Sequence, residues 1–438
     1  MKMMFTRDRN LLIVATLLMA AITYYFYLYQ HTYPPCCDAV SYLGIAASID
    51  NKGFLESQVP LRTFAYPLLL ISLAKISALS TIKYSFLMLT FQFIFYMVAI
   101  LNALSFFGAS LKSTSARIIL LLVMCTNIYL APYIALALTD SIYVSLCLIV
   151  ITNICKLFSK NDVNYRLICI TVFLALLAIV IRPTAVWLVA PLVFYVMMLI
   201  FSKRISYFSL IGALAVAALP LFIQIWINSV RFGAFTFFPA TDLGSAQIDW
   251  GINNIKYATW MGNGASQNYY PSSKLITVVN EGAKFTIDWY FNNILDGMKL
   301  VAVKLVGAFD FDYLLPYPYF KHKNFWLPSI FSFAIMFFGI CGIIYHAITN
   351  NIQALGNRLL PLIIFISWGA VTLVSALELR FTLPILSYFM IVSILYLNEI
   401  NVRHQKSLII FSLAGFLLTL PVLITIASFV RDQSTITG

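Results

Sequence analysis

Long apolar runs separated by short polar breaks recur along the whole chain, at about 11–29, 84–107, 118–134, 141–156, 167–181, 184–201, 206–227, 326–347, 359–376, 381–399 and 408–429. A helix needs roughly 18–20 such residues to cross a ~30 Å hydrocarbon layer. The pattern therefore predicts an all-α polytopic membrane protein with about eleven transmembrane helices. Two long stretches interrupt the rhythm, 30–83 and 228–325. Within the first, Thr63 to Ser80 is apolar enough to span but carries Lys75 and opens on Tyr66-Pro67. Within the second, Lys284 to Phe309 reads as an amphipathic helix, with Phe291, Ile294, Leu295, Met298, Val301 and Leu305 on one face, suited to the membrane interface. The expected organisation is an N-terminal transmembrane module (1–227) whose first outer loop (30–83) carries the chemistry and its juxtamembrane helices. An extracytoplasmic loop (228–325) and C-terminal transmembrane helices (326–438) follow.

Charge decides the sidedness of the ambiguous piece. With Thr63–Ser80 lying on the outer surface, thirteen Lys and Arg residues from Lys2 to Lys406 fall in short cytoplasmic segments, against Arg182, Arg380 and Arg431 outside. If the piece spans, the bias reverses, contrary to the excess of cations normally found in cytoplasmic loops. Both long stretches are then extracytoplasmic.

Composition agrees: 61% of the 438 residues are hydrophobic and 10% charged, whereas soluble domains carry roughly 25% charged residues. The net charge of +12 is scattered between apolar runs, which fits topology signals and contacts to anionic lipid and excludes a nucleic-acid partner. Seven cysteines show no metal spacing; five lie in or beside apolar runs, and a bond between the adjacent Cys36 and Cys37 is disfavoured because it needs a strained loop. The first run, after Lys2, Arg7 and Arg9, reads as a retained anchor.

Only sixteen acidic residues occur, so those at membrane ends carry weight. Asp38 follows the first run and Asp140 opens the fourth; each is a catalytic candidate or a helix N-cap. Arg182-Pro183 and Glu378-Leu379-Arg380-Phe381 add charge at other helix ends. Forked hydrogen bonding suits arginine to phosphate, although either arginine could snorkel to headgroups and Glu378 could simply pair with Arg380. Lys75, Lys83, Lys299 and Lys304 are outward cations, useful to a lipid-phosphate donor but individually read as lipid-facing anchors. Asp310-Phe311-Asp312 has the form of a metal-binding DxD, yet no soluble nucleotide-sugar domain accompanies it. The four histidines (His31, His322, His346, His404) are dispersed, and no HExxH, CxxC, P-loop or GxSxG occurs.

The set resembles the polytopic glycosyltransferases of the C type, which use polyprenyl- or dolichyl-phosphate sugars; protein mannosyltransferases and lipid A aminoarabinose transferases are among them. Asp38-Ala-Val-Ser-Tyr42 is similar to their Asp-x-x-x-Tyr after the first span, and Arg62-Thr-Phe-Ala-Tyr66-Pro67-Leu-Leu-Leu70 to their juxtamembrane element. Asp140, Arg182-Pro183 and Glu378-Leu-Arg380-Phe-Thr-Leu-Pro384 look like the later elements. Where many relatives carry a second acid for a divalent metal, Ala39 and Arg62 stand here, so the resemblance leaves a metal possible and unassigned.

The resemblance implies an inverting hexosyl transfer. Asp38, with Asp140, would be catalytic; Arg380, Arg182, Lys75 and Lys83 would bind the donor phosphate; Tyr42, Arg62, Tyr66 and Glu378 would line the substrate site. Implied partners are a polyprenyl-phosphate-sugar donor, a glycan, lipid or protein acceptor, and membrane lipids. No Asn-x-Ser/Thr sequon occurs, which fits a bacterial inner membrane with a periplasmic site and a lipopolysaccharide or O-antigen acceptor. The alternatives are an O-antigen polymerase or ligase, and a lipid or solute transporter.

Overall fold

The computed structural model describes residues 5–433 and 435–437, apart from 31–35, 160–161, 203–205, 261–265, 277–283, 318–325, 350–354 and 403–404. Of the residues discussed above, Lys2, His31, Lys160, Lys203, Arg204, His322, Arg403 and His404 lie outside the described residues. The chain forms two compact units, 1–241 with 351–364, and 242–350 with 365–438.

The first unit is helical. It contains α1 (Phe5–Gln30), α2 (Cys37–Lys52), α3 (Ala65–Leu79), α4 (Tyr84–Ser110), α5 (Thr114–Cys125), α6 (Ala131–Ile134), α7 (Asp140–Phe158), α8 (Tyr165–Ile181), α9 (Val189–Phe201), α10 (Tyr207–Ala217) and α11 (Leu219–Phe232), with a 3-10 turn at Pro183–Leu188. In the second, α12 (Leu243–Asn253), β1 (Asn254–Trp260), β2 (Ser266–Pro271), α13 (Asp288–Asn292) and α14 (Ile294–Phe309) precede α15 (Leu327–Thr349). After α16 (Leu355–Thr372) come a 3-10 turn at Leu379–Phe381, α17 (Leu383–Val402), α18 (Lys406–Asp432) and β3 (Thr435–Thr437).

Among the described residues, seven helices are long and apolar enough to cross a membrane, or eight if the bent pair α10 and α11 is one span. That pair turns by 50° where Pro220 enters the first turn of α11, a position at which its ring prevents α10 from continuing. The helices of 114–125, 165–181 and 358–372 are apolar but shorter. At 15 residues, α3 is about 22 Å long, short of the ~30 Å layer. It packs on α2 through the Tyr42 and Tyr66 rings, whose centres are 5.1 Å apart, and through Lys75 Nζ, 2.7 Å from Asp50 Oδ1.

One expected span is broken. The run 118–134 is not a single helix: α5 stops at Cys125, and α6 is only four residues long. The freed backbone groups find buried side-chain partners, as irregular backbone at membrane depth requires. Gln92 donates to the carbonyls of Ile134 (3.1 Å) and Leu136 (2.8 Å), Tyr96 Oη to that of Met124 (2.9 Å), and Asn127 Oδ1 accepts from Leu130 N (3.3 Å). Polar residues spaced along α4 thus make the break possible, and the break delivers the chain to Asp140.

In the second unit, α15 and α17 approach closely at Gly339 and Gly342, where an added Cβ would lie 2.7 Å from Phe389 and 2.8 Å from Val392. The segment after Asp242 has its own core of Ile255, Tyr270, Ile276, Leu300 and Val430. Fully burying an aliphatic side chain of this kind contributes about 1.5–3 kcal/mol. Strands β1 and β2 are antiparallel with Tyr257 opposite Tyr269, and the C-terminal β3 extends the sheet, Ile436 opposite Asn268. The tail beyond α18 is therefore tied to the edge of β2.

The amphipathic element begins later than expected, with α13 and a break at Asn293 preceding α14. Its anticipated apolar face is open: Phe291, Ile294, Leu295 and Met298 are exposed. The opposite face, including Leu300, Lys304 and Gly307, is buried.

Candidate active site

Contacts within the first unit gather the relevant helix ends at one end of it. Tyr27 near the end of α1 bonds Ser85 at the start of α4 at 2.8 Å, and Ser141 at the start of α7 donates to Gln92 of α4. Gln92 lies eight residues into α4, about 12 Å below its start at 1.5 Å per residue. Arg182, just past the end of α8, reaches back to Asp140 at the first position of α7. The exit of the unit lies there too, since Arg231 pairs with Glu56 at 3.0 Å and Thr241 N donates to the Pro60 carbonyl at 3.2 Å.

Two carboxylate–guanidinium pairs result, one shallow and one deep. Asp38 sits in the first turn of α2, whose N-cap is Cys36, so its carboxylate is not used as the cap. Instead it accepts from Arg62 Nη2 at 2.5 Å, both side chains about a quarter exposed (26% and 21%). Arg62 also donates to Ser41 Oγ at 3.4 Å and stacks 4.9 Å above Tyr42, which meets Tyr66 edge-on. Asp140 likewise occupies a first turn behind the N-cap Thr139, where the positive end of the helix dipole favours an anion. It is fully buried and salt-bridged to Arg182, which donates a second bond to Thr139 Oγ1 (3.2 Å). The Tyr143 ring lies 5.6 Å from that guanidinium, and its hydroxyl accepts from Trp187 Nε1 at 2.9 Å.

These two pairs are joined by packing. Phe64, two residues after Arg62, is in one buried cluster with Val180, two residues before Arg182, and with Ile227. Gln224 fixes the backbone there by accepting from Phe64 N at 3.2 Å. Lys75 and Lys83 stand apart from both pairs in exposed positions, Lys75 on Asp50 and Lys83 at the N-cap of α4.

Immediately before Asp38, the sulfurs of Cys36 and Cys37 are bonded to each other, contrary to the reading of the sequence. The strain foreseen for such a bond is carried by the backbone: Cys37 is at φ 57°, the one left-handed non-glycine among the described residues. Backbone of this kind collects at functional sites.

In the second unit Glu378 and Arg380 form a third pair, Nε to Oε2 at 2.6 Å, with side chains 2% and 10% exposed. The 3-10 turn brings the two side chains together, closed by Phe381 N donating to the Glu378 carbonyl at 2.9 Å.

Asp310 and Asp312 are engaged in a different way. Lys256 of β1, itself fully buried, lies 3.3 Å from Asp310 Oδ2 and 2.9 Å from Asp312 Oδ1. Arg431 of α18 grips Asp310 through Nε (3.0 Å) and Nη2, Ser329 donates to Asp310 (2.8 Å), and Tyr270 to Asp312 (2.8 Å). Burial alone would raise the Asp310 carboxyl, but Lys256 and Arg431 outweigh it and hold the group below the usual carboxylate range. Two acids facing two bases leave a neutral cluster that ties β1, β2, α15 and α18 together. Among the described residues, no group of three or more His, Cys, Asp or Glu is placed to hold a metal ion. Lys256 and Arg431 escaped the sequence reading because their partners are 54 and 121 residues away. Lys304 is not a lipid-facing anchor: it is fully buried, donates to the Ser375 carbonyl at 2.9 Å, and is pushed by desolvation down to about 7.

Residues 55–243 match the sequence profile of the Alg9-like mannosyltransferase family. That stretch contains Arg62, Tyr66, Lys75, Lys83, Asp140 and Arg182, and excludes Asp38, Glu378 and Arg380. Comparison with curated proteins gives no match. Among solved structures, the chain is similar to the crystal structure of the Archaeoglobus fulgidus oligosaccharyltransferase tethered with an acceptor peptide containing the NVT sequon, at TM-score 0.47 and 14% identity over 98% of this chain and 55% of that one. The chain thus spans about half the length of that protein. The family match covers less than half of the chain, residues 55–243, and lies in a chain whose described residues include seven helices long and apolar enough to cross a membrane.

Proposed function

We propose that this protein is a glycosyltransferase of the C type that carries out an inverting transfer of a hexose from a polyprenyl-phosphate donor to a glycan, lipid or protein acceptor on the periplasmic face of a bacterial inner membrane, with an O-antigen or other lipopolysaccharide acceptor as the specific reading. The observation that carries it is the quarter-exposed Asp38–Arg62 pair and the buried Asp140–Arg182 pair, joined by packing within one helical unit.

Asp38 is the general base. It takes the proton of an acceptor hydroxyl as that oxygen bonds to the anomeric carbon; the bond from that carbon to the phosphate oxygen breaks, and the electron pair leaves with the lipid phosphate. Arg62 and Ser41 orient Asp38, and Tyr42 and Tyr66 wall the acceptor side. Arg182 stabilises the charge that grows on the leaving phosphate, with Asp140 fixing its guanidinium; in the second unit Arg380, held by Glu378, is a further group suited to binding phosphate. Lys75 and Lys83, both exposed, draw in the donor headgroup. Catalysis by a positioned base contributes about 10²–10⁴-fold, so Asp38→Asn should cost at least a hundredfold in sugar transfer measured with purified protein in nanodiscs. Because Asp38 is partly exposed and Asn can still accept from Arg62, thermal unfolding should be nearly unchanged. Full activity of the variant would remove Asp38 as the base.

A further inference from the structure

The route from α16 to the Glu378–Arg380 turn is irregular, yet its backbone is clamped in detail. Residues 373–378 belong to no helix or strand. The carbonyls of Val374, Ser375 and Leu377 each receive a donor from the 242–309 segment: Tyr290 Oη at 3.0 Å, Lys304 Nζ at 2.9 Å and Tyr257 N at 2.9 Å. In return Ala376 N donates to the Gln247 carbonyl at 2.7 Å. Gly251 of α12 lies so close that an added Cβ would sit 2.5 Å from the Ser375 carbonyl carbon. Four elements, α12, β1, α13 and α14, therefore converge on the few residues that precede the third ion pair.

Lys304 is the costly member of the clamp. A lysine with no exposed surface is ordinarily matched by a carboxylate, but the partner recorded for this ammonium is the Ser375 carbonyl. Burial has moved the group to about 7, and an apolar residue there would avoid that penalty. A methionine could fill the space; it could not hold the carbonyl.

We infer that Lys304, with Tyr290 and the space left by Gly251, is a positioning element that fixes residues 374–378 and thereby the Arg380 guanidinium for the donor phosphate. This rests on the phosphate role of Arg380 proposed above. Lys304 acts through Arg380 and does not itself touch the donor.

The test uses the full chain in nanodiscs with undecaprenyl phosphate as probe, binding read by native mass spectrometry and backbone protection by hydrogen exchange over residues 374–382. Lys304→Met, Tyr290→Phe and Gly251→Ala should each raise exchange in that stretch about tenfold or more. Exchange in α17 should stay unchanged, so that a globally unfolded Lys304→Met is recognised and Tyr290→Phe then decides. Each should weaken undecaprenyl phosphate binding several-fold, and Lys304→Met combined with Arg380→Gln should bind no more weakly than Arg380→Gln alone, because residues acting through one group are not additive. Unchanged exchange at 374–382, or penalties that add in the double variant, overturn the positioning role. An Arg380→Gln variant that binds the probe as tightly as the native protein overturns the phosphate role instead, while the exchange measurement still decides whether Lys304 holds the segment.

Discussion

Removing Lys256 should unbalance a buried charge cluster, and its cost follows from the charges present. Two cations, Lys256 and Arg431, face two anions, Asp310 and Asp312, all with side chains at most 9% exposed. Lys256→Met leaves a net charge of −1 in that enclosure and strips Asp312 of its nearest cation, 2.9 Å away. Breaking a buried pair by deleting one partner costs about 3–5 kcal/mol, because the remaining charge stays desolvated. The double variant Lys256→Met/Asp312→Asn restores neutrality, with Arg431 still on Asp310 and the Asn side-chain oxygen still able to accept from Tyr270. It should recover most of the loss. At roughly 2–4 °C per kcal/mol for a unit of this size, the single variant should unfold about 6–20 °C below the native protein and the double variant within a few degrees of it, read by thermal unfolding in detergent. Equal losses in the single and double variants would show that charge balance is not what Lys256 supplies. Native stability that rises steeply with added divalent metal would show that the two aspartates serve an ion after all.

Two further outcomes follow from the same reasoning. Arg182→Lys keeps a charge beside buried Asp140 but loses the planar guanidinium whose Nη1 reaches both Asp140 and Thr139; it should fold, and should raise the apparent KM for the donor about tenfold in a nanodisc transfer assay. Gly339→Ala drives a methyl group to 2.7 Å from the Phe389 ring, an overpacking that costs about 1–3 kcal/mol and should lower the unfolding temperature without changing the KM for the donor.

Helical class and the rare charges at helix ends were readable without coordinates, because each depends on local composition. A run of apolar residues commits to helix in lipid whatever it packs against, and an acid or arginine at the end of such a run is conspicuous where acids number only sixteen. Asp38, Asp140, Arg182, Glu378 and Arg380 stood out for that reason, and the pairing of Glu378 with Arg380 two residues on was a local possibility. Other features depend on residues far apart in the chain. The break after Cys125 is held open by Gln92, Tyr96 and Asn127, across separations of up to 44 residues. Lys304 reads as an ordinary interfacial lysine until Ser375, 71 residues away, is found against it. Asp310 and Asp312 carry the pattern of a metal site, and only the fold supplies Lys256 and Arg431 to neutralise them. The sequence by itself determined which segments seek the membrane and where charge is rare enough to matter; the tertiary structure decided which charges meet, since a buried ion's role is set by its partner, and partners here are chosen by packing between distant helices.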